Sequence, residues 1–302
     1  MNISHPPDSV RGYLNELRRA LKGAPKGLIA DALADCEEHL NMEIAQNPDM
    51  DEAAVLAQVI ETYGSPEEIA EEYRDMEATI STPFPKQQPE NETGRNGGFF
   101  GVISDPRTYG ALLYMLLSLI TGIFYFTWTV AGLSISLSTS ILIFGIFIAL
   151  LFVASIRLLS HVEGRIVESL LGVRMPRRLP PPTASDEKIW TQIKETLGDV
   201  RTWTSLAYLL LMLPLGVVYF VIGVVGLALS IGLTGGSLWS LFTNQSHIQV
   251  TDVPWLDHLV HTAPGLVVLA VIGMLVFFLV LHLARAIGWM HGKIAEALLV
   301  RL

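Results

Sequence analysis

Residues 105–114 read DPRTYGALLY, and residues 199–208 read DVRTWTSLAY. The two stretches stand 94 positions apart, and each opens a long run free of Asp, Glu, Lys and Arg. At the same offset Leu116 meets Leu210, Gly122 meets Gly216, Tyr125-Phe126 meets Tyr219-Phe220, and Gly132-Leu133 meets Gly226-Leu227. A register kept over this length reads as an internal duplication. It resumes at an offset of 128, where Arg157 meets Arg285 and GRIVESLL (164–171) meets GKIAEALL (292–299). The change of offset gives the second copy 34 extra residues, which fall between its two apolar segments. Each copy thus comprises an Asp-x-Arg-Thr-aromatic start, two apolar segments and a short amphipathic helix. With two crossings per copy, both copies enter the membrane from the same side, which makes a parallel repeat.

No charged residue occurs from Thr108 to Ile156 or from Thr202 to Thr251. A helix needs about 20 residues to cross the hydrocarbon core, so the pattern predicts four spans. We place them near 111–133, 139–159, 205–231 and 264–287. A short polar turn (SISLSTS, 134–140) joins the first pair, and a loop over 232–263 joins the second. The segment between spans two and three carries Arg157, Arg165, Arg174, Arg177, Arg178, Lys188, Lys194 and Arg201, and Arg285, Lys293 and Arg301 follow the fourth. The turn and the loop carry no Lys or Arg. The positive-inside rule then predicts a multi-pass protein with both termini in the cytoplasm.

The whole chain has 302 residues, 51% hydrophobic and 16% charged, which suits a membrane protein. Its charge is unevenly spread. Residues 1–96 hold 19 Asp and Glu against 8 Lys and Arg, whereas residues 97–302 hold 10 against 12. An acidic soluble body therefore precedes a nearly neutral membrane body. The single Cys36 suits a reducing compartment, and MNISHPPDSVRGYLNELRR does not read as a cleavable signal.

Several repeated residues carry expectations of their own. Asp105 and Asp199 read as N-caps, with Arg107 and Arg201 facing anionic headgroups; the alternative is a shared ligand or partner site. Arg157 and Arg285 close the outgoing spans and belong to the same headgroup level. Gly122, Gly132, Gly216 and Gly226 are the small residues that let helices approach closely, and Pro214 predicts a kink. Tyr125 and Tyr219 fall near mid-span, where a hydroxyl needs a partner, in structural pairing or in a functional pocket. GRIVESLL and GKIAEALL are expected to lie on the inner leaflet. The spans offer no carboxylate and, of titratable cations, only His282 at the edge, which disfavours an ion-coupled transporter.

Residues 9–78 alternate helical stripes with clear stops. Tyr13, Leu14, Leu17 and Leu21 form one face, and Leu28, Ile29, Leu33, Cys36, Leu40 and Ile44 a second. Val55, Leu56, Val59, Ile60 and Tyr63 form a third, stopped by Gly64. Ser65, Pro66 and Glu68 then spell a capping box for a fourth helix. Residues 79–100 are rich in Pro, Gly and Asn and read as a linker, so that the domain is tethered rather than packed. The last helix carries Glu67, Glu68, Glu71, Glu72, Asp75 and Glu77 against Arg74, the wrong sign for nucleic acid and the right one for a basic protein partner.

The pattern YLNELRRAL, CEEHL and VIETYGSPEEIAEEY resembles the HAAS-type signalling domain of bacterial membrane proteins. Tyr13, Leu14, Leu17, Leu21, Glu38, His39, Gly64, Ser65 and Pro66 carry the resemblance, and Cys36 stands where an aromatic is expected. From Asp105 onward, the repeated starts and Gly-basic exit helices resemble the sensor membrane domain that precedes some bacterial histidine kinases. These resemblances imply a place in the bacterial inner membrane and a signalling role, without a ligand. No kinase segment follows Leu302, so the chain is not expected to phosphorylate a partner.

Little else suggests chemistry. His247, His258 and His261, near Asp252 and Asp257, are weak candidates for a metal or proton site; the alternative is an amphipathic loop resting on the outer leaflet through Trp239 and Trp255. Cys36 reads as an inert core thiol, and His39 as a helix-surface residue. With no phosphate loop, nucleophile elbow or carboxylate pair, neither an enzyme nor a cofactor is expected.

The expected fold class is all-α: a small helical domain over 1–80, a linker over 81–103, a first repeat over 104–178, a connector over 179–197 and a second repeat over 198–302. The expected function is to relay envelope or lipid state to a cytoplasmic regulatory protein, with Glu67, Glu68, Glu71, Glu72 and Asp75 as the partner face. The alternatives are a non-catalytic accessory subunit of an export complex and, more weakly, an enzyme using the loop histidines. Membrane lipids are further partners, and an oligomer is allowed.

Overall fold

The computed structural model describes residues 7–79, 99–139, 145–176, 198–243 and 259–300. Within them the chain is helical and has no strand. Four helices come first: α1 (Val10–Ala20), α2 (Lys26–Gln46), α3 (Glu52–Tyr63) and α4 (Pro66–Thr79). A 3₁₀ turn (Phe99–Ser104) leads into α5 (Pro106–Thr139), followed by α6 (Gly145–Leu171), α7 (Val200–Thr243) and α8 (Ala263–Leu299). These last four are each long and apolar enough to cross a membrane. The described residues fall into two units, taken in turn.

The first unit contains α1–α4, most of α6 with the residues that follow it, the start of α7 and the end of α8. Its core is the apolar stripe of each short helix: Tyr13, Leu17 and Leu21 from α1, Ile29, Ala32, Leu33, Cys36 and Leu40 from α2, Val55, Leu56 and Val59 from α3, and Ile69 and Ala70 from α4. Leu14, Ile44 and Ile60 pack at its margin. Two phenols at this core have hydrogen-bond partners. The Tyr13 hydroxyl donates to the Gly64 carbonyl at 3.0 Å, and the Tyr73 hydroxyl to Asp35 at 2.7 Å. Burial pushes both phenols above their ordinary range and the Cys36 thiol up to about 12.

Local signals end the helices where the sequence places them. Gly64 follows α3 with φ +120°, a conformation that costs any other residue strain. The capping box is closed both ways. The Ser65 amide donates to Glu68 Oε2 at 2.8 Å, and the Glu68 amide to Ser65 Oγ at 3.4 Å. These bonds from Ser65 lower the Glu68 carboxyl below its usual range.

The second unit contains the 3₁₀ turn, α5, α7 beyond Ser205 and α8 up to Lys293. Here α5 and α7 touch reciprocally. A Cβ on Gly122 would stand 2.6 Å from the Met212 carbonyl oxygen, and one on Gly216 would collide with the carbonyl of Ser118. Gly122 and Gly216 are matched in the sequence, and so are Ser118 and Met212. Backbone-to-backbone approach of this kind substitutes for hydrophobic drive where the solvent is lipid. A Cβ on Gly226 would stand 2.5 Å from Val280 Cγ2 of α8, and Ser230 Oγ of α7 donates to the Gly273 carbonyl at 3.0 Å.

Three expectations need correction. Residues 134–139 are not a turn, because α5 runs to Thr139. Ser134, Ser138 and Thr139 return their hydroxyls to the carbonyls of Val130, Ser134 and Ile135 at 2.7–2.8 Å, so these three groups are satisfied within the helix. The segment over 232–243 is likewise helical, since α7 continues unbroken through Pro214 to Thr243. GRIVESLL and GKIAEALL are not separate surface helices either: α6 runs to Leu171 and α8 to Leu299 without interruption. Neither junction contains a proline, and a glycine alone costs too little to stop a long helix.

Candidate functional site

Three polar arrangements stand out, and the first joins α6 to the short helices. Gly172 leaves α6 with φ +70°, and residues 172–176 continue without helix. Arg174 of this strip enters a nearly closed site. Its guanidinium meets Asp31 of α2 at 2.8 Å, Glu77 of α4 at 3.1 Å and Glu168 of α6 at 3.7 Å. It also donates to the carbonyl of Met175. The side chains of Arg174 and Glu77 are each only 6% exposed and that of Asp31 9%, so water scarcely screens the pair bonds. Gly27 makes room for the strip: a Cβ there would lie 2.7 Å from the Arg174 carbonyl oxygen. Met175 is buried beside it. The acidic domain is therefore not merely tethered, as its Pro- and Gly-rich linker suggests. The linker residues 80–98 themselves lie outside the described residues.

A second arrangement lies in the other unit. His291 of α8 is fully buried. The hydroxyls of Tyr114 on α5 and Tyr208 on α7 reach its Nε2 at 2.5 and 2.9 Å, while Tyr219 stands 3.4 Å from Nδ1. The Tyr219 ring meets the imidazole edge-on, with centroids 5.6 Å apart. Tyr114 also donates to Met212 Sδ at 3.7 Å. One imidazole thus ties three helices together through hydroxyls that need a partner in an apolar interior. Tyr219 was singled out by its mid-span position; its fellow Tyr125 is buried as well.

The third arrangement involves the repeated Asp and Arg. Asp105 caps α5 by accepting from the Arg107 amide at 3.1 Å, and Asp199 caps α7 by accepting from the Arg201 amide at 2.9 Å. Each cap also faces the arginine that closes the other copy: Arg157 lies 3.3 Å from Asp199, and Arg285 lies 3.8 Å from Asp105. Arg157 additionally donates to Thr202 Oγ1 at 3.4 Å. The Arg285 side chain remains 54% exposed, so these are surface ion pairs of modest strength.

The remaining candidates are dispersed. Glu67, Glu71, Glu72 and Asp75 are exposed on α4, whereas Glu68 is folded back onto Ser65. His247 and His258 lie outside the described residues, and His261 is exposed two residues before α8. Among the described residues no group of three His, Cys, Asp or Glu could hold a metal ion. Cys36 is buried, and His39 stacks on Tyr63 with centroids 4.4 Å apart.

Sequence reasoning missed Asp31, Glu77, Arg174 and His291. Arg174 counted only as one of many topogenic cations. A signal for His291 did exist: at the 128 offset it meets Glu163, another fully buried residue, directly before the matched Gly-basic pair.

Residues 114–299 match the model of the Sensor family, described as "Putative sensor", and residues 12–72 match the HAAS model. Neither curated proteins nor solved structures yield a match.

Proposed function

Since the chain belongs to the Sensor family of membrane proteins and carries a HAAS domain ahead of that region, we propose that it relays the state of the membrane to a protein partner through the HAAS helices. The observation that carries this reading is the Arg174 site. A helix able to cross the membrane, α6, ends in a strip whose arginine is held by Asp31 of α2 and Glu77 of α4, two of the four short helices (α1–α4, here the HAAS helices) over which the HAAS match extends. Any displacement of that strip must either move the HAAS helices with it or leave two buried carboxylates without their cation. Both alternatives change the domain, which is what a relay requires.

The Lys and Arg distribution supports a cytoplasmic side for the four short helices and the 172–176 strip, and the family resemblance supports a bacterial inner membrane. The stimulus belongs to the bilayer or the envelope face. Arg107, Arg201, Arg157 and Arg285 stand at the entrances and exits of the apolar helices, where anionic headgroups collect.

The test is hydrogen exchange on the full-length protein in vesicles of zwitterionic lipid and in vesicles enriched in anionic lipid. Exchange over 26–34 and 66–77 should differ between the two bilayers, and Arg174→Gln should remove the difference. Identical exchange in both bilayers would count against lipid as the stimulus. Retention of the difference in the variant would sink Arg174 as the route.

A further inference from the structure

The Arg174 site has the features of a recognition site occupied by the chain's own segment. Two carboxylates from different helices, Asp31 on α2 and Glu77 on α4, converge on one guanidinium. The backbone of the strip lies against Gly27, where no side chain stands in the way. Beside the arginine, Met175 supplies one apolar side chain that is 1% exposed. Residues 172–176 have no helix or strand of their own. What is read, then, is short: an arginine next to an apolar residue on a nonhelical backbone. Another protein can carry the same few residues on a loop or tail.

We infer that the Asp31–Glu77 site is where the HAAS helices bind a protein partner, through an arginine flanked by apolar residues, and that Arg174 and Met175 occupy this site in cis until the partner displaces them. The inference rests on the reading that the HAAS helices receive a partner. It moves the docking point away from the exposed Glu67–Glu71–Glu72–Asp75 face of α4 and onto the junction of α2 and α4.

Charge and geometry select this occupant. Asp31 and Glu77 converge from two helices on one point, and this concentration of negative charge favours a cation there when the cis strip leaves. A guanidinium donates in two directions from one plane, as Arg174 does here with Nε to Glu77 and Nη2 to Asp31. An ammonium has no such fixed fork. Glu168 does not belong to the HAAS side: it comes from α6 and is shared with Arg165 at 3.2 Å. The partner therefore meets two carboxylates where Arg174 meets three. Cis and trans occupants exclude each other, so partner binding releases the end of α6, and by linkage any membrane state that withdraws the strip favours the partner.

The experiment uses the full-length protein in lipid nanodiscs and a fluorescein-labelled peptide of the chain's own residues 170–176, LLGVRMP. In wild type the tethered strip competes at an effective concentration on the order of millimolar, so the peptide should bind poorly. Arg174→Gln weakens the competitor, and the peptide Kd should fall by about 10-fold or more. Met175→Ala, which keeps every charge, should shift Kd in the same direction and serves if Arg174→Gln does not fold. Adding Asp31→Asn and Glu77→Gln to either variant should abolish binding, as should the same peptide with its arginine replaced by glutamine. Equal affinity for wild type and both opened variants would overturn the inference, and so would binding that survives loss of the two carboxylates or of the peptide's arginine. The relay reading has its own readout in bilayer-dependent exchange, so the two can fail separately.

Discussion

Tyr114 and Tyr208 close the two matched ten-residue stretches, and both bring their hydroxyls to the same atom, Nε2 of His291, at 2.5 and 2.9 Å. Residues 94 positions apart in sequence are thus equivalent in their chemistry as well as in their letters. Tyr114→Phe and Tyr208→Phe should lower the stability of the detergent-solubilised protein by similar amounts, roughly 0.5–1.5 kcal/mol each. His291→Ala should cost more than either, because several buried groups lose a partner together. Thermal melts of the three variants check this; a cost confined to one tyrosine would break the equivalence.

The reciprocal glycine contact makes a sharper demand. Gly122→Val and Gly216→Val each force a side chain against a backbone carbonyl that cannot rotate away, and should destabilise by about 1–3 kcal/mol. Gly232→Ala meets open space inside α7 and should be neutral or slightly stabilising. Denaturant or thermal unfolding in one detergent separates the two classes.

Removing the Arg174 cation takes a charge partner from two carboxylates in a nearly dry site. Arg174→Met alone should cost the first unit about 3–5 kcal/mol. Combining it with Asp31→Asn and Glu77→Gln should recover much of that loss, since no uncompensated charge remains. Urea unfolding followed by helical circular dichroism measures both, and failure of the triple variant to recover would mean that packing by the arginine stem dominates.

Cys36 offers a pH-dependent probe. Its thiol is pushed up to about 12 by burial, so the folded protein disfavours the thiolate. The sign is that of an acid with a raised folded pKa: the contribution to stability is intact below the unfolded thiol pKa of about 8.5 and declines as pH rises beyond it. Alkylation at pH 8 should be slow in the native protein and fast in denaturant. Rapid native alkylation would show that α2 opens locally.

Topology is testable directly. A periplasm-dependent reporter fused after Asn244, one residue past the end of α7, should be active, and one fused after Pro180 should not. Activity at Pro180 would reverse the assignment of the HAAS helices to the cytoplasm.

The sequence was most informative where one local cause has one local effect. Tyr13, Leu17 and Leu21 bury the stripe that their spacing draws, and Ser65 and Glu68 close the capping box that they spell. It was less informative about ends. In SISLST, serines that look like turn residues bond to their own helix, because each hydroxyl reaches a backbone carbonyl one turn earlier. It was least informative about Arg174, whose letter is the same whether it faces headgroups or two carboxylates contributed from 97 and 143 positions away. His291 was concealed for a related reason: its match to Glu163 marks the position but not the role, which emerges only when three tyrosines from other turns surround it.

The continuity of α6 has a mechanical consequence. As one rod of 27 residues, about 40 Å long, it needs no unfolding step to carry information from one end to the other. A tilt of roughly 10° about its far end would sweep the Leu171 end sideways by about 7 Å, more than the length of the Arg174 ion pairs. Gly172, in a backbone conformation open to few other residues, sits at the tip of that lever arm as its joint. Small angular changes within the bilayer would thereby be amplified into all-or-none engagement of a single side chain.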